Sequence, residues 1–188
     1  MNITSTKISG LLKLEPTIYG DDRGYFFETF RNDDMPSDSI NFIQDNQSLS
    51  HKGVLRGLHF QTPPFAQSKL VRVTSGAVFD VAVDLRKNST TYGDWFGEIL
   101  SGNNNLQLFI PEGFAHGFIT LENETVFQYK CSNYYSPKSE GGILFNDPEI
   151  NINWSEVSGI PENQFLVSKK DLQLPSFNNF NSRLFSKK

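Results

Sequence analysis

Apolar and polar residues alternate along much of this chain with a period of two, as they do in strands that bury one face of a sheet. Residues 70–85 show it best. The runs Leu-Val-Arg-Val-Thr and Ala-Val-Phe-Asp-Val-Ala-Val-Asp-Leu flank Ser75-Gly76, a two-residue connection suited to a hairpin. On the second strand Phe79, Val81, Val83 and Leu85 share one face, and Asp80, Ala82 and Asp84 take the other. Further strand-like runs fall at 25–30, 42–45, 54–61, 96–100, 107–110, 117–121, 125–133 and 142–145. Turn chemistry separates them, as at Gly20-Asp-Asp, Lys87-Asn-Ser, Gly102-Asn-Asn-Asn and Pro111-Glu-Gly. Many short strands at this spacing predict an all-β sandwich or barrel. The helical signal is confined to a turn at Ser168-Lys-Lys-Asp171, which has the form of a capping box. Residues 176–188, rich in Asn and Ser with interspersed Phe, are expected to form a peripheral tail, loose or laid on the barrel.

Composition narrows the function classes. The chain has 188 residues and no internal linker, so one domain spanning 1–188 is expected. Four alanines against seventeen phenylalanines fit a sheet protein. A net charge of −4 argues against non-specific nucleic-acid binding. Cys131 has no partner for an intrachain disulfide, which suits a reducing cytoplasm. The first residues lack a signal-peptide pattern, and no run of roughly 18 apolar residues predicts a membrane span.

Three stretches carry candidate chemistry. Gly53-Val-Leu-Arg-Gly-Leu-His59-Phe-Gln places a histidine on a strand, where ideal alternation groups it with Leu55, Gly57 and Gln61 and sets Arg56 on the opposite side. His59 reads either as a buried histidine fixed by a carboxylate or as a general base. Lys69 reads as a solvated lysine or, if it faces the site, as a cation for an enolate oxygen. Pro111-Glu-Gly113-Phe-Ala-His116 matches a turn-and-strand pattern of cupin barrels. Metal cupins add a His-x-His from an earlier strand, but Leu58-His59-Phe60 offers one histidine, so no metal site is expected. His116 reads equally as a polar barrel residue bonded to a neighbour and as a contact to an anionic substrate. Tyr129, on the parity of Phe127 and Cys131, reads first as aromatic core. Asp171 can simply cap the Ser168 turn, and Arg23 with Glu28 can form an ordinary surface ion pair.

Taken together, these residues resemble the dTDP-4-dehydrorhamnose 3,5-epimerase family. The matching motifs are Phe42-Ile-Gln-Asp-Asn46, Gly53-Val-Leu-Arg-Gly-Leu-His-Phe-Gln61, Ala66-Gln-Ser-Lys-Leu-Val-Arg72, Asp80-Val-Ala-Val-Asp-Leu-Arg86, Ile110-Pro-Glu-Gly-Phe-Ala-His-Gly-Phe118, Tyr129 with Asn133-Tyr-Tyr-Ser-Pro137, and Ser168-Lys-Lys-Asp171. They run in the family's order from about residue 20 to 175. The resemblance implies a cupin-like double-stranded β-helix, or jelly roll, with short peripheral helices. It implies an isomerase that inverts C3 and C5 of a dTDP-4-keto-6-deoxyhexose through an enolate, with no metal and no cofactor. His59 would be the base, Asp171 would hold its tautomer, Lys69 would face the enolate oxygen and Tyr129 would return a proton from the other side.

By the same resemblance Arg23 and Glu28 would contact the nucleotide across a homodimer interface built from N-terminal strands. Gln44, Asp45 and Asn46 would line the pocket, and Arg56 would neutralise the pyrophosphate. Tyr135 would stack on thymine, while His116, Glu140 and Lys170 would make further substrate contacts. Alternatives are a mono-epimerase acting at C3 or C5 alone and a non-catalytic sugar-nucleotide-binding cupin. The chain departs from the family's usual pattern at Phe145-Asn-Asp147, Trp154-Ser155 and Ser89-Thr-Thr-Tyr92, none of which touches a proposed catalytic group.

Overall fold

Residues 1–37, 40–180 and 185 are described by the structure, a computed structural model. In chain order the strands are β1 (Asn2–Ser5), β2 (Leu12–Glu15), β3 (Tyr19–Asp21), β4 (Gly24–Phe26), β5 (Gln44–Ser50), β6 (Val54–Gln61), β7 (Lys69–Ser75), β8 (Ala77–Asp84), β9 (Trp95–Ser101), β10 (Gln107–Ile110), β11 (Phe114–Thr120), β12 (Thr125–Cys131), β13 (Glu140–Gly142) and β14 (Leu166–Val167). Among the described residues one short α-helix, α1 (Trp154–Ser158), and a few 3₁₀ turns complete the chain. None of these helices is long and apolar enough to cross a membrane.

Two antiparallel sheets face each other as a jelly roll. The first has the order β1-β2-β10-β7-β12-β5, and the second β13-β6-β11-β8-β9, with β14 added parallel to β6. Among the described residues strands 3 and 4 pair only with each other, as a separate hairpin.

Alternation along β8 explains the layering. Phe79, Val81 and Val83 point away from the first sheet into a cluster closed by Ile143, Phe145, Ile152, Trp154 and Phe180 from the C-terminal third. Val78 and Ala82 point inward and meet Val71, Val73, Leu108, Phe118 and Phe127 between the sheets. Every residue of β8 is buried, because both of its faces are covered. A smaller cluster of Leu14, Leu70, Phe109 and Met35 covers the outside of the first sheet. Burying roughly a dozen large side chains per layer, at about 1.5–3 kcal/mol each, supplies the main drive for this arrangement.

The predicted faces of β8 agree with the structure. The hairpin expected across Ser75-Gly76 does not form: β7 pairs with β10 and β12 in the first sheet and β8 with β11 and β9 in the second, so Ser75-Gly76, with Gly76 at φ +75°, is a corner that carries the chain from one sheet to the other. Boundaries differ elsewhere. The strand expected at 42–45 starts at Gln44 and continues to Ser50, since polar residues there still alternate inward and outward. The run at 25–30 gives only the short β4, and the one at 142–145 is strand at 140–142. Strands 1 and 2 carried no clear signal, being only four residues each, with β1 polar and on the sheet edge. In the expected tail, Phe180 and Phe185 pack against Phe60, while residues 181–184 and 186–188 lie outside the described residues.

Candidate active site

The cleft opens at the polar end of the space between the two sheets. Its largest part has a volume of about 610 Å³ and includes Arg56, His59, Lys69, His116, Tyr129 and Asp171. A second lobe of about 280 Å³ shares His59, Lys69 and Tyr129 and continues to Gln44, Asn46, Tyr135 and Glu140. Both volumes suit a ligand of small-molecule size.

A β-bulge builds the first part of this cleft. His116 on β11 pairs with His59, and Phe118 pairs with Arg56, so two steps on β11 match three on β6. The extra residue reverses the alternation of β6. Leu55, Leu58 and Phe60 join the outer cluster, while Arg56 and His59 both line the cleft. Ideal strand parity put Arg56 opposite His59 and grouped Leu55 with it; the bulge corrects both expectations. Gly57 makes the bulge possible. Its φ is +133°, and a Cβ there would lie 2.6 Å from the Cα of Gly117.

His59 is oriented from the far end of the chain. Strand 14 pairs parallel with the start of β6, with Leu166 beside Val54, and so delivers the turn at 168–171 to the cleft. Asp171 Oδ1 lies 2.8 Å from His59 Nε2, and Asp171 Oδ2 accepts the Gly57 N–H at 3.3 Å. The Asp171 N–H donates to Ser168 Oγ, so half of the expected capping box is present. The Asp171 carboxylate itself reaches His59 and the Gly57 N–H. Burial alone would raise the Asp171 carboxyl, but the hydrogen bonds from His59, Gly57 and Ser168 and the charge of His59 hold it below the usual range. A carboxylate facing Nε2 fixes the proton on that nitrogen and leaves Nδ1 to take one from a ligand.

Across the cleft, the first sheet contributes Lys69 from β7 and Tyr129 from β12, both on the inward parity of Val71 and Phe127. Lys69 Nζ lies 6.0 Å from the centre of the Tyr129 ring. Among the described residues no carboxylate is within ion-pair distance of Lys69, and burial pushes its ammonium below the ordinary lysine value. Burial also raises the Tyr129 phenol, with Cys131 adding to the effect and Arg56 opposing it, so the hydroxyl stays protonated. The Cys131 thiol is likewise raised by burial and takes a 3.6 Å contact from Asn46 Nδ2.

His116 is bonded to a neighbour, as the first of its two readings expected. It lines the cleft, and its Nε2 lies 2.8 Å from the wholly buried Asp80 Oδ2. Asp80 was not singled out from the sequence, where it read only as the polar side of β8. The available signal was a carboxylate at an otherwise apolar inward position.

At the mouth, Glu140 Oε2 accepts hydrogen bonds from the Tyr135 hydroxyl at 2.8 Å and from Lys170. Gln44 Nε2 donates to Asn46 Oδ1, and Gln44 Oε1 accepts the Tyr135 N–H. Asp45 does not join them. It points to the outer face of β5 and pairs with Lys130 at 3.0 Å, beside a separate cavity. Arg23 and Glu28 are also outside this chain's cleft. Arg23 pairs with Asp21 at the tip of the free hairpin, and Glu28 pairs with Arg31. Among the described residues no group of three or more His, Cys, Asp or Glu side chains is placed to hold a metal ion.

The arrangement offers a histidine base with its tautomer fixed, an ammonium in a poorly hydrated cleft, and a protonated phenol on the facing sheet. Such a set suits proton abstraction beside a carbonyl, with reprotonation from another direction.

Comparison with known proteins points the same way. A sequence profile of the dTDP-4-dehydrorhamnose 3,5-epimerase family matches residues 5–179. The dTDP-4-dehydrorhamnose 3,5-epimerase of Escherichia coli is 50% identical over 177 residues, covering 93% of each chain. That of Salmonella typhimurium is 51% identical over 178 residues, covering 93% of this chain and 94% of its own. A crystal structure of the dTDP-6-deoxy-D-glucose-3,5-epimerase from Legionella pneumophila, in complex with dTDP-4-keto-L-rhamnose, superposes with a TM-score of 0.91 at 45% identity, covering 100% of this chain and 98% of that one.

Proposed function

This chain belongs to the dTDP-4-dehydrorhamnose 3,5-epimerase family, and from that premise we propose how its cleft inverts C3 and C5 of dTDP-4-dehydro-6-deoxy-D-glucose to give dTDP-4-dehydro-L-rhamnose. The observation that carries the reading is the His59–Asp171 pair on one sheet facing Lys69 and Tyr129 on the other.

The 4-keto group acidifies the protons at C3 and C5. His59 Nδ1 takes one of them, and Asp171 stabilises the imidazolium that forms. Electron density moves to the C4 oxygen, where the Lys69 ammonium offsets the developing charge. The Tyr129 hydroxyl then protonates the carbon from the opposite face, which inverts it. One group cannot serve both faces, and the origin of His59 and Tyr129 on facing sheets supports the division of labour. Arg56 is assigned to the pyrophosphate, because its bulge-directed guanidinium enters the same cleft. Gln44, Asn46, Tyr135, Glu140, Lys170 and His116 are assigned to further substrate contacts, supported by their position along the cleft and its mouth.

The chain acts as one domain and as a homodimer in this reading. Support comes from the β3–β4 hairpin, which exposes Tyr19, Tyr25 and Phe26 and pairs with no other strand among the described residues. Docked on a second copy, it would carry Arg23 and Glu28 toward the partner's nucleotide, and Asp45 on the outer face of β5 toward the same contact.

The test is incubation with dTDP-4-keto-6-deoxyglucose in D₂O, followed by NMR. Deuterium at both C3 and C5 of a rhamno-configured product is expected. Label at one carbon alone would demote the chain to a mono-epimerase, and no label would leave a binding protein. His59→Ala should abolish exchange at both carbons. Tyr129→Phe should still admit deuterium into the starting sugar while inversion fails; equal, mild losses in the two variants would refute the assignment.

A further inference from the structure

Two carboxylate–histidine pairs stand side by side in this cleft, and the mechanism above uses only one. His116 lies directly opposite His59 in the β11–β6 pairing. Its Nε2 is 2.8 Å from Asp80 Oδ2, on the inner face of β8. Asp80 is fully buried, and its Oδ1 accepts no hydrogen bond among the described residues. The His116 ring is stacked 6.0 Å from Phe127 and lies 6.4 Å from Phe118, which limits its freedom to turn. The titratable groups around it are Asp80 on β8, Lys69 on β7 and His59 on β6.

A carboxylate can only accept hydrogen bonds, so the ring nitrogen facing Asp80 carries a proton. Burial pushes His116 below the ordinary histidine value, and Lys69 and His59 push the same way against the pull of Asp80. The ring is therefore neutral, with Nε2–H donating to Asp80 and Nδ1 bare. A bare nitrogen at a cleft wall is an acceptor in search of a donor. The keto oxygen and the phosphate oxygens of the substrate cannot supply one. Next to the base His59, the group that can is a hydroxyl of the sugar ring.

We propose that Asp80 is a positioning residue that fixes His116 as a hydrogen-bond acceptor for a ring hydroxyl of the hexose, so that this wall of the cleft selects sugars that carry the hydroxyl. The proposal takes the identity of the ligand from the epimerase reading but uses no chemical step of it. It also reverses the expected polarity of His116, which meets a donor here instead of an anion. A pocket that holds an acceptor for a hydroxyl rejects the deoxy analogue, because its own buried group is then left unpaired.

Binding of unreactive dTDP-sugars tests this without turnover. The ligands are dTDP-6-deoxyglucose, with a hydroxyl in place of the 4-keto group, and its 2-deoxy and 3-deoxy counterparts, measured by calorimetry. In the unaltered protein one deoxy analogue should bind about tenfold more weakly than the parent, the worth of roughly one hydrogen bond. In His116→Gln, whose amide nitrogen can still reach Asp80, the parent should weaken about tenfold and the deoxy penalty should vanish. ¹⁵N NMR should show His116 as the Nε2–H tautomer with unprotonated Nδ1, and Asp80→Asn should abolish that preference together with the discrimination. A protonated Nδ1, equal binding of all three sugars, or an Asp80→Asn loss identical for every sugar would overturn the proposal. Failure of the unaltered protein to exchange C3 or C5 in D₂O would refute the epimerase reading while leaving these binding differences intact.

Discussion

Arg56 and His59, three residues apart on one strand, face the same cleft because the strand holds an extra residue between them. Without the bulge at Gly57 one of the two would point into the apolar layer beneath. The bulge therefore brings a guanidinium and an imidazole to one cleft from a single element.

Gly57→Ala follows directly. A methyl group at +133° φ, 2.6 Å from the Gly117 Cα, forces β6 and β11 apart. The expected cost is about 2–4 kcal/mol in chemical denaturation, with a loss of activity that exceeds the unfolded fraction. Unchanged stability and activity would show that the strand crossing tolerates a side chain.

Asp171→Asn separates tautomer control from structure. The substituted side chain fits the same space but lets His59 adopt either tautomer, so kcat should fall by about 10³-fold with KM little changed. The pH dependence of stability supplies a second readout. The folded-state carboxyl lies below its ordinary value of 3.8, so its contribution is complete above that value and is lost as pH falls through the lower, folded-state one. Denaturation of the Asn variant should be flatter in that acidic window than denaturation of the unaltered protein.

Lys69→Met should trade activity for stability. Burial lowers the Lys69 pKa, so carrying the charge into the fold opposes folding. That penalty fades as pH rises through the folded value toward the ordinary lysine value of about 10.4. The Met variant should therefore melt at a higher temperature at neutral pH, while kcat falls by about 10²–10³-fold. A lower melting temperature would mean that the amine has a stabilising partner in the folded protein.

Phe26→Asp addresses the free hairpin. The ring is 67% exposed and sits beside Tyr25, itself 64% exposed, on a two-stranded ribbon that lacks its own core. A charge there should shift a dimer to monomer in sedimentation velocity and weaken nucleotide binding through the displaced Arg23 and Glu28. A monomeric unaltered protein would refute the dimer reading.

Much of the fold was legible from period-two alternation. Both faces of β8 follow from it, since a strand covered on both sides still separates its two sets of side chains, but alternation and turn chemistry could not show that Ser75-Gly76 joins two sheets and not two paired strands. The candidate site was legible less evenly. His59 and Lys69 stood out as polar residues in apolar strands, but Arg56 was misplaced because a bulge leaves no trace in hydrophobic pattern. The His59–Asp171 contact spans 112 positions, and only the matching of ordered motifs to a family joined its two ends. Asp80 drew no separate notice because acids on one face of a strand look like ordinary alternation until a second sheet covers them.

The pairing of β14 with β6 sets a condition on the order of events during synthesis. His59, Lys69, His116 and Tyr129 have all been made long before Asp171, which arrives on the turn that β14 delivers. A nascent chain, or one cut just ahead of that turn, holds the strands of both sheets and still lacks the carboxylate that bonds His59. The chain is therefore expected to stay inactive until Asp171 has been made, and cleavage by a protease between Leu166 and Asp171 should switch it off while leaving most of the two sheets untouched.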